Sequence, residues 1–363
     1  MTAQGGISGR ETVVLTAAAS FASGVFIIPR LLVADSGRAG ILALLLASAV
    51  ALAWAAVVAS RAQRIEGRDL PLAVVRQGGI FGRLWLFALA LFEVMIAGSV
   101  VSQYTAMATT VILPGGSRLG VAVLFSLAAL SAARHRVQGL ARTIYVSFLF
   151  AAVLALSAFA LLLARSEQLA AVLPGPHLQA VPIMVGTLNA LVLYEGTAAI
   201  VAFMPAHRPG PRTPAVEVGV LVGGLLAVIA YVAAVGTGGP EYVLGQIWPV
   251  VSALRTLVLA SFVLNRIGLI VVLTWSAFVL TFAAIHLWAA TEYAAMAFGI
   301  QRWRTLVALG GTLLVISFGL VITSQAQSES VVRGVITPAV VAVLAIWLAL
   351  SFLLTRRSAR AAA

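Results

Sequence analysis

The chain has 363 residues, of which 62% are apolar and only 9% charged, proportions that a soluble globular domain does not reach. All 23 basic residues are arginine, set against 11 acids for a net charge of +12, and cysteine is absent. Disulfides, thiolate nucleophiles, cysteine metal sites, lysine Schiff bases and a phosphate-loop lysine are therefore excluded by count.

At roughly 20 residues per crossing, this composition predicts an all-α polytopic membrane protein with about ten transmembrane helices in a single domain. The apolar runs, bounded by arginine, proline, glycine and acids, are 12–34, 39–59, 84–112, 119–133, 141–163, 181–204, 215–236, 267–291, 305–324 and 333–354. The polar start holding Arg10 and Glu11 and the length of the first run do not fit a cleavable signal peptide. With the N-terminus inside, sixteen arginines fall on the cytoplasmic side and seven outside, which predicts both termini in the cytoplasm. Arginines spread over short loops form a topology signal rather than a phosphate groove, so no nucleic-acid partner is expected.

Two connections are longer than simple loops. Residues 61–83 are expected to carry a short interfacial helix over Leu70–Val75. Residues 237–266, interrupted by Trp248, Pro249, Arg255 and Asn265, are expected to form an outer helical hairpin capping a cavity. An eleventh crossing at 247–264 is the alternative, and it would spoil the arginine bias.

Two crossings look broken. In the first, Ser20-Phe21-Ala22-Ser23-Gly24-Val25-Phe26-Ile27-Ile28-Pro29 places small residues mid-span ahead of a proline. In the sixth, Asn189 is followed by Tyr194-Glu195-Gly196-Thr197 and then Pro205. Each is the first helix of a group of five, and five being odd, the second group enters from the opposite face. The expectation is a five-plus-five inverted repeat, about 12–163 and 181–354, with a binding site near the midplane where the broken helices free backbone groups. Tight helix packing at the two glycines is the plainer alternative.

Acids inside a membrane are functional candidates by default. Glu195 lies at the second break, fit to bind an ammonium or carry a proton. Glu93, in the third crossing, is either a site residue or a bond to unwound backbone. On the eighth crossing His286 is either a proton relay or a packed ring. Ser276 and Thr281 on the same helix are candidates to hold an ion against the first break, although such hydroxyls commonly bond their own helix. Gln103 and Tyr104 are read as lining an outer entry, and Glu292 as a solvated helix end. No HExxH, GxSxG, phosphate loop or spaced metal cluster occurs, so no enzyme, cofactor or metal is expected.

The run FASGVFIIP at 21–29 resembles the first-helix signature of the amino acid/polyamine/organocation superfamily, whose members share a LeuT-like fold. Within it the chain resembles the spore germination permeases, the B subunits of nutrient germinant receptors. The supporting runs are RIEGRDL, RHRVQGLAR, YEGTAAIVAFMP and VLGQIWPVVSALRTLVLASFVLNRIGLIVVLTW. The resemblance implies that Ser23, Gly24 and Val25 supply the first-helix part of a ligand pocket and Tyr194, Glu195 and Gly196 the sixth-helix part; Phe26 and Glu93 complete the expected ligand set. It also implies residence in the bacterial cytoplasmic membrane or spore inner membrane, with an A-type membrane protein and a C-type lipoprotein as partners. Three functions stand open: a receptor subunit binding a small nutrient such as an amino acid, an autonomous H⁺- or Na⁺-coupled symporter, and a ligand-gated ion or water conduit.

Overall fold

The computed structural model describes residues 6–21, 24–65, 69–207, 214–256 and 267–362. Among these, helices account for almost the whole chain and no strand occurs beyond an isolated bridge between Ile7 and His207. Eight stretches are long and apolar enough to cross a membrane, and Arg118–Ala133 is a shorter apolar helix. One of the eight, Ile27–Ala62, joins two expected crossings through a single 3-10 turn at Gly37–Ala39. Once that stretch is divided and the short helix added, the elements match the ten expected segments.

The first expected crossing is two helices, α1 (Gly9–Ala19) and α2 (Gly24–Ser36). A capping box starts α1: Glu11 N donates to Ser8 Oγ at 3.3 Å while Ser8 N donates to Glu11 Oε2 at 2.7 Å, satisfying two amides that a helix start leaves unpaired. After α3 (Gly40–Ala62) comes α4 (Leu70–Met107), capped where Leu72 N donates to Asp69 Oδ1 at 2.8 Å. Burial first of all holds the Asp69 carboxyl above the usual carboxylate range, against the Leu72 bond and the Arg76 charge. Gly79, at φ 54°, bends α4, a conformation for which glycine carries no Cβ penalty. The residues before the bend form the short helix expected over Leu70–Val75, extended to Gly78. A π-turn, Ala108–Ile112, ends this crossing.

Next come α5 (Arg118–Ala133) and α6 (Val137–Leu163), then the sixth crossing in two pieces, α7 (Ala180–Ala190) and α8 (Thr197–Phe203). Then α9 (Ala215–Gly245) turns at Gly239, at φ 82°, and is followed by α10 (Pro249–Arg255). With seven residues, α10 cannot span a bilayer. Its Val250, Val251, Ala253 and Leu254 are buried as it packs across α9, α2 and α11. Of the expected hairpin the structure describes the bend at Gly239 and α10, and the remainder, 257–266, lies outside the described residues. The last elements are α11 (Ile267–Phe298), α12 (Arg304–Val321), α13 (Gln325–Val331) and α14 (Thr337–Ala362).

The core lies where α1, α4, α8, α9 and α11 converge. The outer shell leaves leucines and phenylalanines such as Phe150, Leu124 and Leu313 exposed, which in water would be an aggregation surface and in a bilayer is the solvated one.

Candidate functional site

Both expected breaks occur, and they meet. The first lies between Ala19 and Gly24, with 22–23 outside the described residues. The second is a 3-10 turn over Leu191–Tyr194 followed by Glu195 and Gly196 before α8 begins. A Cβ on Gly196 would overlap Ala19, standing 2.6 Å from its Cβ and 2.7 Å from its carbonyl carbon. Only glycine lets the two interrupted backbones approach this closely. Two further glycines of α9 seat α1 in the same way: Cβ atoms at Gly219 and Gly223 would lie 2.7 Å from Val13 O and 2.8 Å from Ser20 Cβ.

The half-helices pair across the breaks. On one side, Ile7 N donates to Ala206 O at 2.8 Å and Thr12 Oγ1 lies 2.9 Å from His207 Nδ1, tying α1 to the end of α8. On the other, Ser36 Oγ donates to Pro182 O at 2.8 Å and Asn189 Nδ2 to Asp35 Oδ2 at 2.7 Å, tying α2 to α7. Arg333 pairs with the same Asp35, and Arg30 reaches Glu329 at 2.9 Å and Gln246 O at 3.1 Å.

Glu195 is buried at the second break, 3% exposed. The hydroxyl of Tyr194 donates to Ser48 Oγ at 2.6 Å, and Thr197 Oγ1 donates to Tyr194 O at 2.7 Å. Of the first-helix residues, Ser23 lies outside the described residues, while Gly24, Val25 and Phe26 form the first turn of α2 and nothing further is described of their side chains. Phe21, at the end of the first half, meets Phe278 of α11 edge-on at 5.0 Å between ring centroids, and Phe148 meets Phe278 at 5.4 Å. The α11 wall next to the first break is thus aromatic.

The hydroxyls proposed from sequence for an ion lie on either side of that ring in the chain and bond elsewhere. Thr281 Oγ1 donates to Phe278 O at 2.8 Å, and Ser276 Oγ pairs with the Tyr104 hydroxyl. Tyr104 and Gln103 are both buried, the latter with its amide on Ser99 Oγ at 3.3 Å. Glu292 is half-buried near the end of α11 and ion-paired, with Arg304 Nε on its Oε1 at 2.5 Å.

Sequence reading considered Glu93 and His286 separately, 193 positions apart, yet they are partners. Glu93 Oε2 lies 2.5 Å from His286 Nδ1, and both side chains are completely buried between α4 and α11. Neither Glu93 Oε1 nor His286 Nε2 has a hydrogen-bond partner. Ring packing at 4.1 Å against Phe282 fixes the imidazole. Two turns along α11 from His286, the Tyr293 hydroxyl donates to Ala198 O at 2.5 Å, in the first turn of α8 just past the second break. Tyr293, Ser48 and the α9 glycines escaped sequence reading because nothing local distinguishes them from ordinary helix residues.

Among the described residues there is no cluster of three or more His, Asp or Glu able to hold a metal ion. No curated protein sequence matches the chain. Among solved structures it is similar to MhsT in complex with L-phenylalanine, at 16% identity, with 95% of each chain covered and a TM-score of 0.62. It is similar also to Mhp1, a nucleobase-cation-symport-1 family transporter in a closed conformation with bromovinylhydantoin bound, at 16% identity, 97% and 78% coverage and a TM-score of 0.68. A substrate-bound, outward-open Na⁺-coupled sialic acid symporter aligns at 14% identity, 97% and 79% coverage and a TM-score of 0.62. The fold is therefore that of the LeuT-like transporters. A family model of spore germination proteins matches residues 6–327, and the chain, a transporter-like integral membrane protein, belongs to that spore permease family.

Proposed function

We propose that the protein is the transporter-like subunit of a spore germinant receptor, binding a small nutrient where its two broken helices meet. The observation that carries this reading is the contact of Gly196 with Ala19, which joins the two breaks into one locus with Glu195 buried beside it. Backbone amides and carbonyls at such breaks are suited to a substrate carboxylate and ammonium. Ser23, Gly24, Val25, Phe26, Tyr194, Glu195 and Gly196 form the proposed ligand set. The aromatic wall of Phe21, Phe148 and Phe278 favours an apolar or neutral amino acid, in keeping with the L-phenylalanine complex of MhsT.

Residues 12–163 and 181–354 are the proposed inverted repeats, both termini face the cytoplasm, and occupancy passes to an A-type membrane subunit and a C-type lipoprotein. The second reading is a proton-coupled symporter, favoured by the Glu93–His286 pair, whose two unpartnered atoms leave room for a proton to be taken up or given away. Glu93, His286 and Glu195 are then the coupling residues, with Ser276 and Thr281 as weaker candidates.

The test is thermal unfolding of the detergent-purified protein against amino acids, amines, nucleosides and sugars, for wild type and Glu195→Gln. One amino acid is expected to raise the transition of the wild type and to leave the variant unmoved. Equal behaviour of both proteins toward every ligand, alone and with the partner subunits co-purified, overturns the pocket. Radiolabel uptake into liposomes then separates the readings: none for a receptor subunit, and proton-gradient-driven flux abolished by Glu93→Gln for a symporter.

A further inference from the structure

A second concavity lies away from the broken helices, on the membrane-facing side where the bend in α4 leaves a wedge against the last turns of α14. Its volume is about 330 Å³, and its lining includes Gly78, Phe81 and Trp85 from α4 and Leu350 and Leu353 from α14, with Gln77 at the polar end. Phe81 is 79% exposed, an orientation that only hydrocarbon makes favourable. A Cβ at Gly78 would meet nothing within 4 Å, so this glycine is not held by packing within the chain.

Arginines flank the lining residues in sequence. Arg76 adjoins Gln77 and is exposed, Arg356 is exposed one turn beyond Leu353, and Arg61 lies over the Phe352 ring at 4.0 Å with Nη1 3.4 Å from Thr355 Oγ1. The described acid closest in sequence, Asp69, caps Leu72 and also feels the Arg76 charge. An apolar slot whose two helices carry exposed arginines just beyond its lining, Arg76 on α4 and Arg356 on α14, is complementary to an amphiphile with an anionic head.

We propose that this wedge is a specific site for an anionic phospholipid of the leaflet facing the chain termini, one acyl chain lying along Phe81 and Leu350 and the phosphate between Arg76 and Arg356. This assignment is independent of the nutrient site.

The experiment uses the whole protein in vesicles of phosphatidylcholine mixed with phosphatidylglycerol, with the lipid retained after gentle detergent extraction identified by native mass spectrometry. Phosphatidylglycerol is expected to be retained in preference to phosphatidylcholine. Arg76→Gln and Arg356→Gln should each weaken that retention about fivefold, and Gly78→Leu, which fills the slot, should abolish it. Because the arginine variants leave the apolar lining intact, they decide the matter if Gly78→Leu does not fold. Equal retention of both lipids, retention unaffected by the arginine changes, or cross-linking through Phe81 to a second copy of the chain would overturn the site.

Discussion

Between α1 and α2, and between α7 and α8, the helices stop, and the side chains where they meet are small: Ala19 against Gly196, Ser20 against Gly223. Between α4 and α11 the helices run unbroken past their polar contact, and there the polarity comes from side chains, Glu93 against His286. The contrast follows from what hydrocarbon tolerates. An interrupted backbone brings its own amides and carbonyls to the centre and needs neighbours thin enough to approach them, whereas a continuous helix has none to spare. Polarity is thus carried by paired side chains between α4 and α11 and by the backbone at the breaks, and backbone groups at broken helices are the ones suited to a ligand.

The comparison is broken most severely at the rigid pair. His286→Leu leaves Glu93 buried without its partner and should cost about 3–5 kcal/mol of stability, read as a lower thermal transition in detergent. The double change Glu93→Leu with His286→Leu should recover most of that loss, because an apolar pair of similar volume removes the orphaned group. If the double variant is no better than the single one, the pair is not a balanced unit.

At the breaks the expected effect is steric. Gly196→Ala forces Ala19 aside and should cost about 1–3 kcal/mol, while Gly310→Ala on α12, where a Cβ meets nothing within 4 Å, should be neutral or stabilise by up to about 1 kcal/mol. Matched thermal melts of the two variants check this. Equal effects would mean that helix propensity, not contact between the breaks, explains Gly196.

A finer probe is Tyr293→Phe, which removes the bond from α11 to Ala198 O in the first turn of α8. It should cost about 1 kcal/mol, and ligand-induced stabilisation should fall with it if the pair and the break are coupled. Smallest is Arg30→Gln at the edge of the bundle, whose pair with Glu329 is partly exposed. A loss below about 1 kcal/mol that vanishes at high salt is expected, measured by repeating the melt across ionic strength.

Much of this molecule is written in local chemistry. Hydrophobic run length set the ten helical segments, because a bilayer accepts nothing else of that length and polarity. Glycine and small residues ahead of Pro29, and Tyr194-Glu195-Gly196, marked both breaks, because an unwound backbone needs residues that tolerate it. Which side chains became partners was settled only in three dimensions. Helical periodicity states which face a residue occupies but not which helix that face will meet. The union of Glu93 with His286, of Tyr194 with Ser48 and of Gly196 with Ala19 therefore waited for the packing of helices far apart in the chain. So did the quenching of Ser276 by Tyr104 and the wedge between α4 and α14, since both depend on how two helices seat against each other rather than on either sequence alone.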